Sequence, residues 1–96
     1  MGAEDPRVHV VLPYALREFT SGQDLVEVRA ASLADAVARL ATRFPGLAYR
    51  ILDDQGRLRR YVLAFVNDDP VSDLSPDDVR LKDGDTVHIL PSVAGG

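Results

Sequence analysis

Four short segments of the chain are rich in apolar residues with high strand propensity. Two of them, 8–12 and 25–29, are rich in β-branched residues and flank a cluster of turn-forming residues at 20–24. This arrangement predicts a hairpin of two strands with a long loop. Two further segments, 61–66 and 86–90, have the same character and follow turn-forming Asp, Gln and Gly residues. They predict two more strands in the second half of the chain.

Between the two pairs of predicted strands, the apolar spacing changes to that of a helix. Ser32 is a good N-cap and Asp35 lies in the first turn, where a carboxylate is favourable. The helix is expected to stop at Pro45-Gly46, and residues 47–52 are expected to add a short helical turn. The apolar residues that recur at helical spacing are Leu33, Val37, Leu40, Ala41 and Phe44.

The order strand, strand, helix, strand, strand within 96 residues predicts an α+β fold. We expect a β-grasp-like roll in which a mixed sheet of four to five strands has one main helix on one face. The folded domain is expected to span 8–91. Residues 1–7 would form a flexible N-terminus, and residues 92–96 would form an extended tail.

Strand parity divides the apolar side chains between two faces of this sheet, because successive residues point to opposite sides. One set is assigned to the core under the helix: Val8, Val10, Leu12, Val62, Ala64, Val66, Val87 and Ile89. The other set, Val11, Leu63, Phe65 and Leu90, would lie on the open face. If the last strand lies between the first and the third, these four residues form one patch near the tail. Such a patch predicts a partner-binding surface, and the alternative is that a loop covers it.

Composition and charge exclude several classes of protein. The content of 46% hydrophobic and 27% charged residues is that of a globular domain. No apolar segment approaches the ~20 residues of a membrane span. The acidic N-terminus is unlike a secretory signal, and Pro6 stands where a myristoylation motif needs Ser or Thr. With a net charge of -4, a nucleic-acid partner is not expected either. The absence of cysteine favours a cytoplasmic protein.

The sequence predicts no catalytic site, metal site or bound cofactor within the chain. There is no cysteine to serve as a nucleophile or thiolate ligand, and no glycine-rich loop opens a helix. His9 and His88 are expected on the same open face, where they could be neighbours, but two imidazoles do not complete a zinc site. The acidic pairs at 53–54, 68–69 and 77–78 lack the spacing of a calcium loop, and we interpret them as turn residues.

The end of the sequence is the strongest functional signal. The last predicted strand leads directly into Pro-Ser-Val-Ala-Gly-Gly, and residues 92–96 can span at most about 17 Å. Terminal glycines also occur where a chain end is merely frayed. A narrow Gly-Gly backbone, however, suits a partner's constricted active site. Its carboxylate, with a usual pKa of about 3.3 to 3.7, is ionised at neutral pH and can react only after another enzyme activates it.

Several of these segments together resemble the ubiquitin-like β-grasp sulfur carriers of the MoaD/ThiS type. The most specific are Leu-Pro-Tyr-Ala-Leu-Arg at 12–17, Val-Asn-Asp at 66–68, Asp-Gly-Asp at 83–85 and the ending at 90–96. Within the family, residues 57–67 and the Ile-Leu-Pro at 89–91 look most like the actinobacterial branch that supplies sulfur for cysteine synthesis.

The resemblance implies a protein cosubstrate. Gly96 would be adenylated with ATP by a ubiquitin-activating-type adenylating and sulfurtransferase enzyme, then converted with a sulfur donor to a thiocarboxylate. Gly95, Ala94 and Val93 would thread that enzyme's active site while the open-face patch docks outside. The implied acceptor is a pyridoxal-phosphate-dependent cysteine synthase, followed by a C-terminal peptidase that releases the product.

Other functions remain open at this point. The chain could be the small subunit of molybdopterin synthase or a thiamine-type sulfur carrier. It could also be a ubiquitin-like modifier that is joined through Gly96 to lysines of target proteins. A β-grasp interaction module with an inert tail is a further alternative.

Overall fold

A mixed sheet forms the centre of the protein. The computed structural model describes residues 5–55, 57–59, 62–71 and 79–91. Within these ranges the strands are β1 (Arg7–Val11), β2 (Leu25–Arg29), β3 (Val62–Val66), β4 (Asp69–Pro70) and β5 (Thr86–Pro91). They are arranged in the order β2-β1-β5-β3-β4. Strand β5 is parallel to β1 and antiparallel to β3, and the other pairs are antiparallel. The predicted fold class is confirmed. The last strand lies between the first and the third, which is the condition under which the four open-face residues form one patch.

In the described part of the chain, three helical segments accompany the sheet. A 3-10 helix (Tyr14–Thr20) lies within the β1–β2 connection, α1 is Leu33–Arg43, and α2 is Pro45–Ile51. The predicted cap of α1 is present, since the Ser32 hydroxyl accepts a hydrogen bond of 3.1 Å from the backbone N–H of Asp35. Helix α1 ends before Phe44 because the residue preceding a proline is disfavoured in the helical conformation.

The core lies between the sheet and these helices. Its largest fully buried side chains include Leu12, Leu33, Leu40, Leu47, Ile51 and Ile89. Of the strand residues assigned to the core from parity, all are buried except Val66, which is half-buried and packs against the core from its edge. Val66 is the last residue of β3, next to the exposed turn residues Asn67 and Asp68, so it is less covered.

The turn between β3 and β4 is fixed by Asn67. This residue has a φ of 56°, in the left-handed region that asparagine tolerates better than most residues. Its side-chain oxygen accepts from the N–H of Thr86 at 3.1 Å, and its amide nitrogen donates to the Asp85 carboxylate at 3.1 Å. The turn therefore ties β3 to the start of β5.

The turn predicted after α2 begins with Asp53, whose carboxylate accepts the backbone N–H groups of Gln55 and Arg57 at 2.8 and 3.0 Å. Both hydrogen bonds lower the pKa of the Asp53 carboxyl, and the bond from the Arg57 N–H has the larger effect. Gly56, the last residue of the predicted loop, lies outside the described residues.

Several details differ from the sequence prediction. Asp69, interpreted as a turn residue, belongs to the short strand β4, because the tight turn at Asn67 and Asp68 brings the chain back beside β3. The β1–β2 connection contains a 3-10 helix where only a loop was expected. Helix α2 begins at Pro45, because proline fits the first position of a helix as well as it ends the preceding one. Strand β1 begins at Arg7, one residue early, since the Arg7 N–H donates to Asp83 at 2.9 Å and its carbonyl accepts from Gly84 at 2.8 Å.

Candidate docking face

The open face of the sheet carries a connected apolar patch. Leu63 and Leu90 are direct cross-strand partners in the β3–β5 register, and their side chains are 47% and 37% exposed. Val11 on β1 and Phe65 on β3 are half-buried on the same face. The structure therefore brings the four predicted residues to three adjacent strands. Their role in partner binding remains a prediction.

His88 occupies the middle of this patch. It is opposite Val11 in the β1–β5 register and opposite Phe65 in the β3–β5 register, so its imidazole side chain separates these two apolar residues. The sequence interpretation treated His88 as an ordinary surface histidine. The parity that placed Leu90 on the open face also applies to His88, two residues earlier, but its exact neighbours depend on the strand register.

Leu25 extends the patch at the other side. This β2 residue is 50% exposed and is paired with Val11 in the antiparallel β1–β2 register. The sequence did not single it out because the long connection between β1 and β2 leaves their register undetermined. We define the docking face as Val11, Leu25, Leu63, Phe65, His88 and Leu90.

The docking face reaches the end of the sheet from which the tail departs. Because β1 and β5 are parallel and β3 is antiparallel to both, the last residues of β1 and β5 meet the first residues of β3 at this end. Leu90 belongs to the face, and Pro91 is the last residue of β5.

Tyr14, at the start of the 3-10 helix that follows β1, is 84% exposed. The Arg17 guanidinium lies 5.8 Å from the centroid of its ring.

The opposite end of the open face is polar. His9 pairs with Thr86, not with His88, so the two histidines lie one row apart on neighbouring strands. Glu27 is 3.7 Å from the His9 imidazole and 3.0 Å from the Arg7 guanidinium. In the described part of the chain, no group of three or more histidine, aspartate or glutamate side chains could hold a metal ion.

The tail residues Val93, Ala94, Gly95 and Gly96 lie outside the described residues, as does the start of the predicted N-terminal segment at 1–4. None of the helices within the described ranges has the length and apolar character needed to span a membrane.

Comparisons with known proteins show the family to which this chain belongs. Residues 10–96 match the ThiS family. The sulfur carrier protein CysO of Mycobacterium tuberculosis is 36% identical over 91 residues, which are 93% of this chain and 98% of that protein. A chain from the BexX/CysO complex of Amycolatopsis orientalis has a TM-score of 0.81 and 35% identity, covering 93% of this chain and 99% of its own.

A third relative comes from the archaeal modifiers. The small archaeal modifier protein SAMP1 of Methanosarcina acetivorans has a TM-score of 0.82 and 28% identity, covering 99% of this chain and 100% of its own. The family match and the CysO similarity extend over most of the chain. This protein therefore belongs to the ThiS family and is a ubiquitin-like sulfur carrier, a protein that carries sulfur rather than a catalyst.

Proposed function

We propose that this protein carries sulfur as a thiocarboxylate on Gly96 and delivers it to cysteine synthesis. The observation that carries the proposal is that the docking face extends to the end of β5, where Leu90 directly precedes Pro91, the residue before the tail in the sequence. A partner that binds the docking face would therefore have the tail of this chain close to the partner's own surface. The similarity to CysO over 93% of the chain supports cysteine synthesis as the destination.

The chemistry requires a separate activating enzyme of the ubiquitin-activating type. An oxygen of the Gly96 carboxylate attacks the α-phosphorus of ATP, pyrophosphate leaves, and an acyl adenylate forms. Hydrosulfide then attacks the acyl carbon and forms a C–S bond, and AMP leaves with the electron pair of the broken C–O bond. Loss of the sulfur-bound proton leaves a thiocarboxylate, in which sulfur has replaced one oxygen of the terminal carboxylate. The chain itself needs no bound cofactor for these steps.

The folded body and the tail have different tasks in this reaction. Burial of Leu63 and Leu90 against the partner supplies affinity, because apolar surface leaves water on binding. Gly95 and Gly96, with Ala94 and Val93 before them, enter the partner's active site. A channel that fits two residues without side chains excludes bulkier chain ends, which gives selectivity.

The acceptor of the sulfur would be a pyridoxal-phosphate-dependent cysteine synthase. Its product would remain attached to Gly96 through the former thiocarboxyl carbon, so a peptidase would have to release cysteine and regenerate the Gly-Gly end. Both steps belong to partners. Molybdopterin synthase or thiamine synthesis are alternative destinations, and a stable complex with a molybdopterin synthase large subunit would favour the first of these.

Protein modification is the second candidate function. The observation that favours it is the structural similarity to SAMP1 along nearly the whole chain. The same adenylate would serve both functions, but a modifier forms an amide with a lysine of a target protein. Covalent ladders on other host proteins would indicate modification, whereas a thiocarboxylate on the free chain would indicate sulfur transfer.

Deletion of Gly96 tests the proposal. The chain and its Gly96-deleted variant are incubated with ATP, sulfide and extract of the native host, and intact masses are measured. The full chain is expected to exchange one oxygen for sulfur. The variant is expected to show no such product and no ATP–pyrophosphate exchange, because the acyl carbon is displaced from the enzyme's reactive position.

The fold should not change in this variant, since the strands and the core lie between Arg7 and Pro91. An unaltered thermal unfolding midpoint provides the control. Equal activation of the deleted chain would contradict the assignment to Gly96. An unmodified full chain would refute the sulfur carrier mechanism proposed here.

A further inference from the structure

Positive charge on this protein is carried almost entirely by arginine. The 96 residues contain ten arginines and a single lysine, Lys82. Arginine stays protonated at any pH at which a protein is folded, and its guanidinium is a poor nucleophile. A lysine amine, in contrast, can attack an activated carbonyl once it loses its proton. Lys82 is therefore the one side-chain amine of this chain that an activated carboxyl group could acylate.

The backbone of Lys82 is held in a tight turn just before β5. The Lys82 N–H donates to the Asp85 carboxylate at 2.8 Å, and its carbonyl accepts from the Asp85 N–H at 3.0 Å. Gly84, with a φ of 91°, completes the turn and donates to the Arg7 carbonyl at 2.8 Å. The turn is thus pinned to the start of β1, and the point from which the Lys82 side chain extends is fixed.

The side chain of Lys82 is accessible. The residue is exposed, and no hydrogen bond or ion pair joins its Nζ to any other residue in the described ranges. The amine would therefore not have to break a side-chain contact seen in the structure before it attacks an acyl group. A fixed backbone with an accessible amine is a favourable arrangement for an acceptor.

Lys82 and the tail lie at opposite ends of β5. The strand has six residues, Thr86 to Pro91, so its ends are about 16 Å apart at the usual rise per residue. A tail of five residues spans at most about 17 Å. It would have to run back along the whole strand and pass Thr86 to approach Lys82 of the same molecule. Acylation of Lys82 is consequently favoured between two copies over within one.

We infer that Lys82 is the side-chain acceptor site for the activated Gly96 of a second copy of this chain, so that self-conjugates form through a Gly96–Lys82 linkage. This inference rests on the proposed activation of Gly96. The Lys82 amine of one copy attacks the Gly96 acyl carbon of the other, and the C–N bond of an isopeptide forms. The acyl–O bond breaks, AMP leaves with its electron pair, and the amine releases one proton to solvent.

The position of this linkage has a consequence for the conjugate. The copy that is acylated on Lys82 still has its docking face and its own tail at the far end of β5. Its own Gly96 can therefore be activated in turn and transferred to Lys82 of a third copy. Repeated transfer gives copies joined head to tail through Gly96–Lys82 linkages.

Two parallel reactions test the inference. In the first, the chain is prepared with Gly96 as a thioester and incubated alone at mildly alkaline pH. In the second, the unmodified chain is incubated with ATP and host extract, and ATP–pyrophosphate exchange is followed. Products are separated by size and digested, and linked peptides are sequenced by mass spectrometry. Dimers and longer conjugates with a Gly96–Lys82 linkage are expected in both.

Lys82→Arg keeps the charge and removes the nucleophile, so it should lower the yield of conjugates at least about tenfold. Combining it with Arg80→Lys returns an amine to the same exposed segment and should restore conjugates, now linked at position 80. This rescue separates loss of the amine from any effect of Lys82→Arg on folding or docking.

The outcomes are distinguishable. Activation in the extract without a Gly96–Lys82 linkage in either reaction would overturn the inference and leave the proposed function intact. Conjugates that persist at full yield in Lys82→Arg would also overturn it. Linkage from the thioester without activation in the extract would support Lys82 as the acceptor and count against the proposed function.

Discussion

At the scale of single residues, Asn67 shows how one side chain connects two distant parts of the chain. Its left-handed backbone conformation makes the β3–β4 turn, and its amide group bonds to both Asp85 and Thr86. The Val-Asn-Asp segment was recognised in the sequence as part of the family resemblance. The two side-chain hydrogen bonds could not be predicted, because they depend on β5 lying beside β3.

Replacing Asn67 by alanine and by glycine separates the two contributions. Asn67→Ala loses both hydrogen bonds and places a Cβ at positive φ, so the free energy of unfolding should fall by about 1 to 3 kcal/mol. Asn67→Gly loses the same bonds but accepts the backbone conformation. Glycine should therefore be less destabilising by about 1 kcal/mol, measured by urea denaturation. Equal losses in the two variants would show that the left-handed conformation contributes nothing.

At the scale of secondary structure elements, the hydrophobic pattern predicted β1, β2, β3, β5 and α1 but did not predict the 3-10 helix. The 3-10 helix at Tyr14–Thr20 buries only Leu16 and Thr20, so it has too few apolar positions to show a helical period. Thr20 is fully buried although polar, because its hydroxyl donates within the turn that ends this helix, to the carbonyls of Arg17 and Gln23. A buried polar residue of this kind is invisible to a hydrophobic pattern.

The start of α1 is fixed by more than its cap. Beside the Ser32 hydroxyl bond, the Leu33 N–H donates to the Val79 carbonyl at 2.9 Å, and the Leu81 N–H donates to the Ala31 carbonyl at 3.0 Å. These bonds join the helix start to the segment that leads into β5. The start of α1 and the entry to the central strand are therefore stabilised together.

Ser32→Ala should lower the free energy of unfolding by about 0.5 to 2 kcal/mol, because the Asp35 N–H loses its acceptor, the hydroxyl of the buried Ser32. Ser32→Thr keeps the hydroxyl and serves as the control, with stability close to that of the natural chain. Thermal and urea unfolding followed by circular dichroism measure both variants. If alanine and threonine were equivalent, the cap would not contribute to stability.

At the scale of the whole molecule, the central position of β5 explains why the docking face is a single surface. His88 on β5 lies between Val11 on β1 and Phe65 on β3, and Leu90 on β5 pairs with Leu63 on β3, so β5 joins the parts of the face that β1 and β3 carry. The parity of each strand was sufficient to predict which four apolar residues point outward. Leu25 and His88 required the register, which sequence pattern alone does not determine.

Introducing a charge into the face tests its role in docking. Leu90→Asp should raise the Kd for the activating enzyme purified from the host at least about tenfold, since a carboxylate would be desolvated in an apolar contact. Phe65→Asp should act in the same direction. Tyr49→Asp is the matched control: this α2 side chain is 81% exposed and lies on the helical side of the sheet.

Titration calorimetry measures the three variants, after circular dichroism has established that each is folded. Binding by Leu90→Asp and Phe65→Asp that equals binding by Tyr49→Asp would remove the docking face from the proposed mechanism.

The order of the strands also affects the stage of synthesis at which the protein can fold and bind an activating enzyme. Strand β5 is the last of the five to leave the ribosome, yet it occupies the middle of the sheet and pairs with both β1 and β3. Until it emerges, the two hairpin-like halves have no strand between them, and domains generally complete folding only when such long-range pairs can form. A chain interrupted before β5 would lack both the reactive end and the surface that an activating enzyme binds. Incomplete carriers would thus be excluded from the pathway because they lack both Gly96 and a completed docking face, without a separate proofreading step.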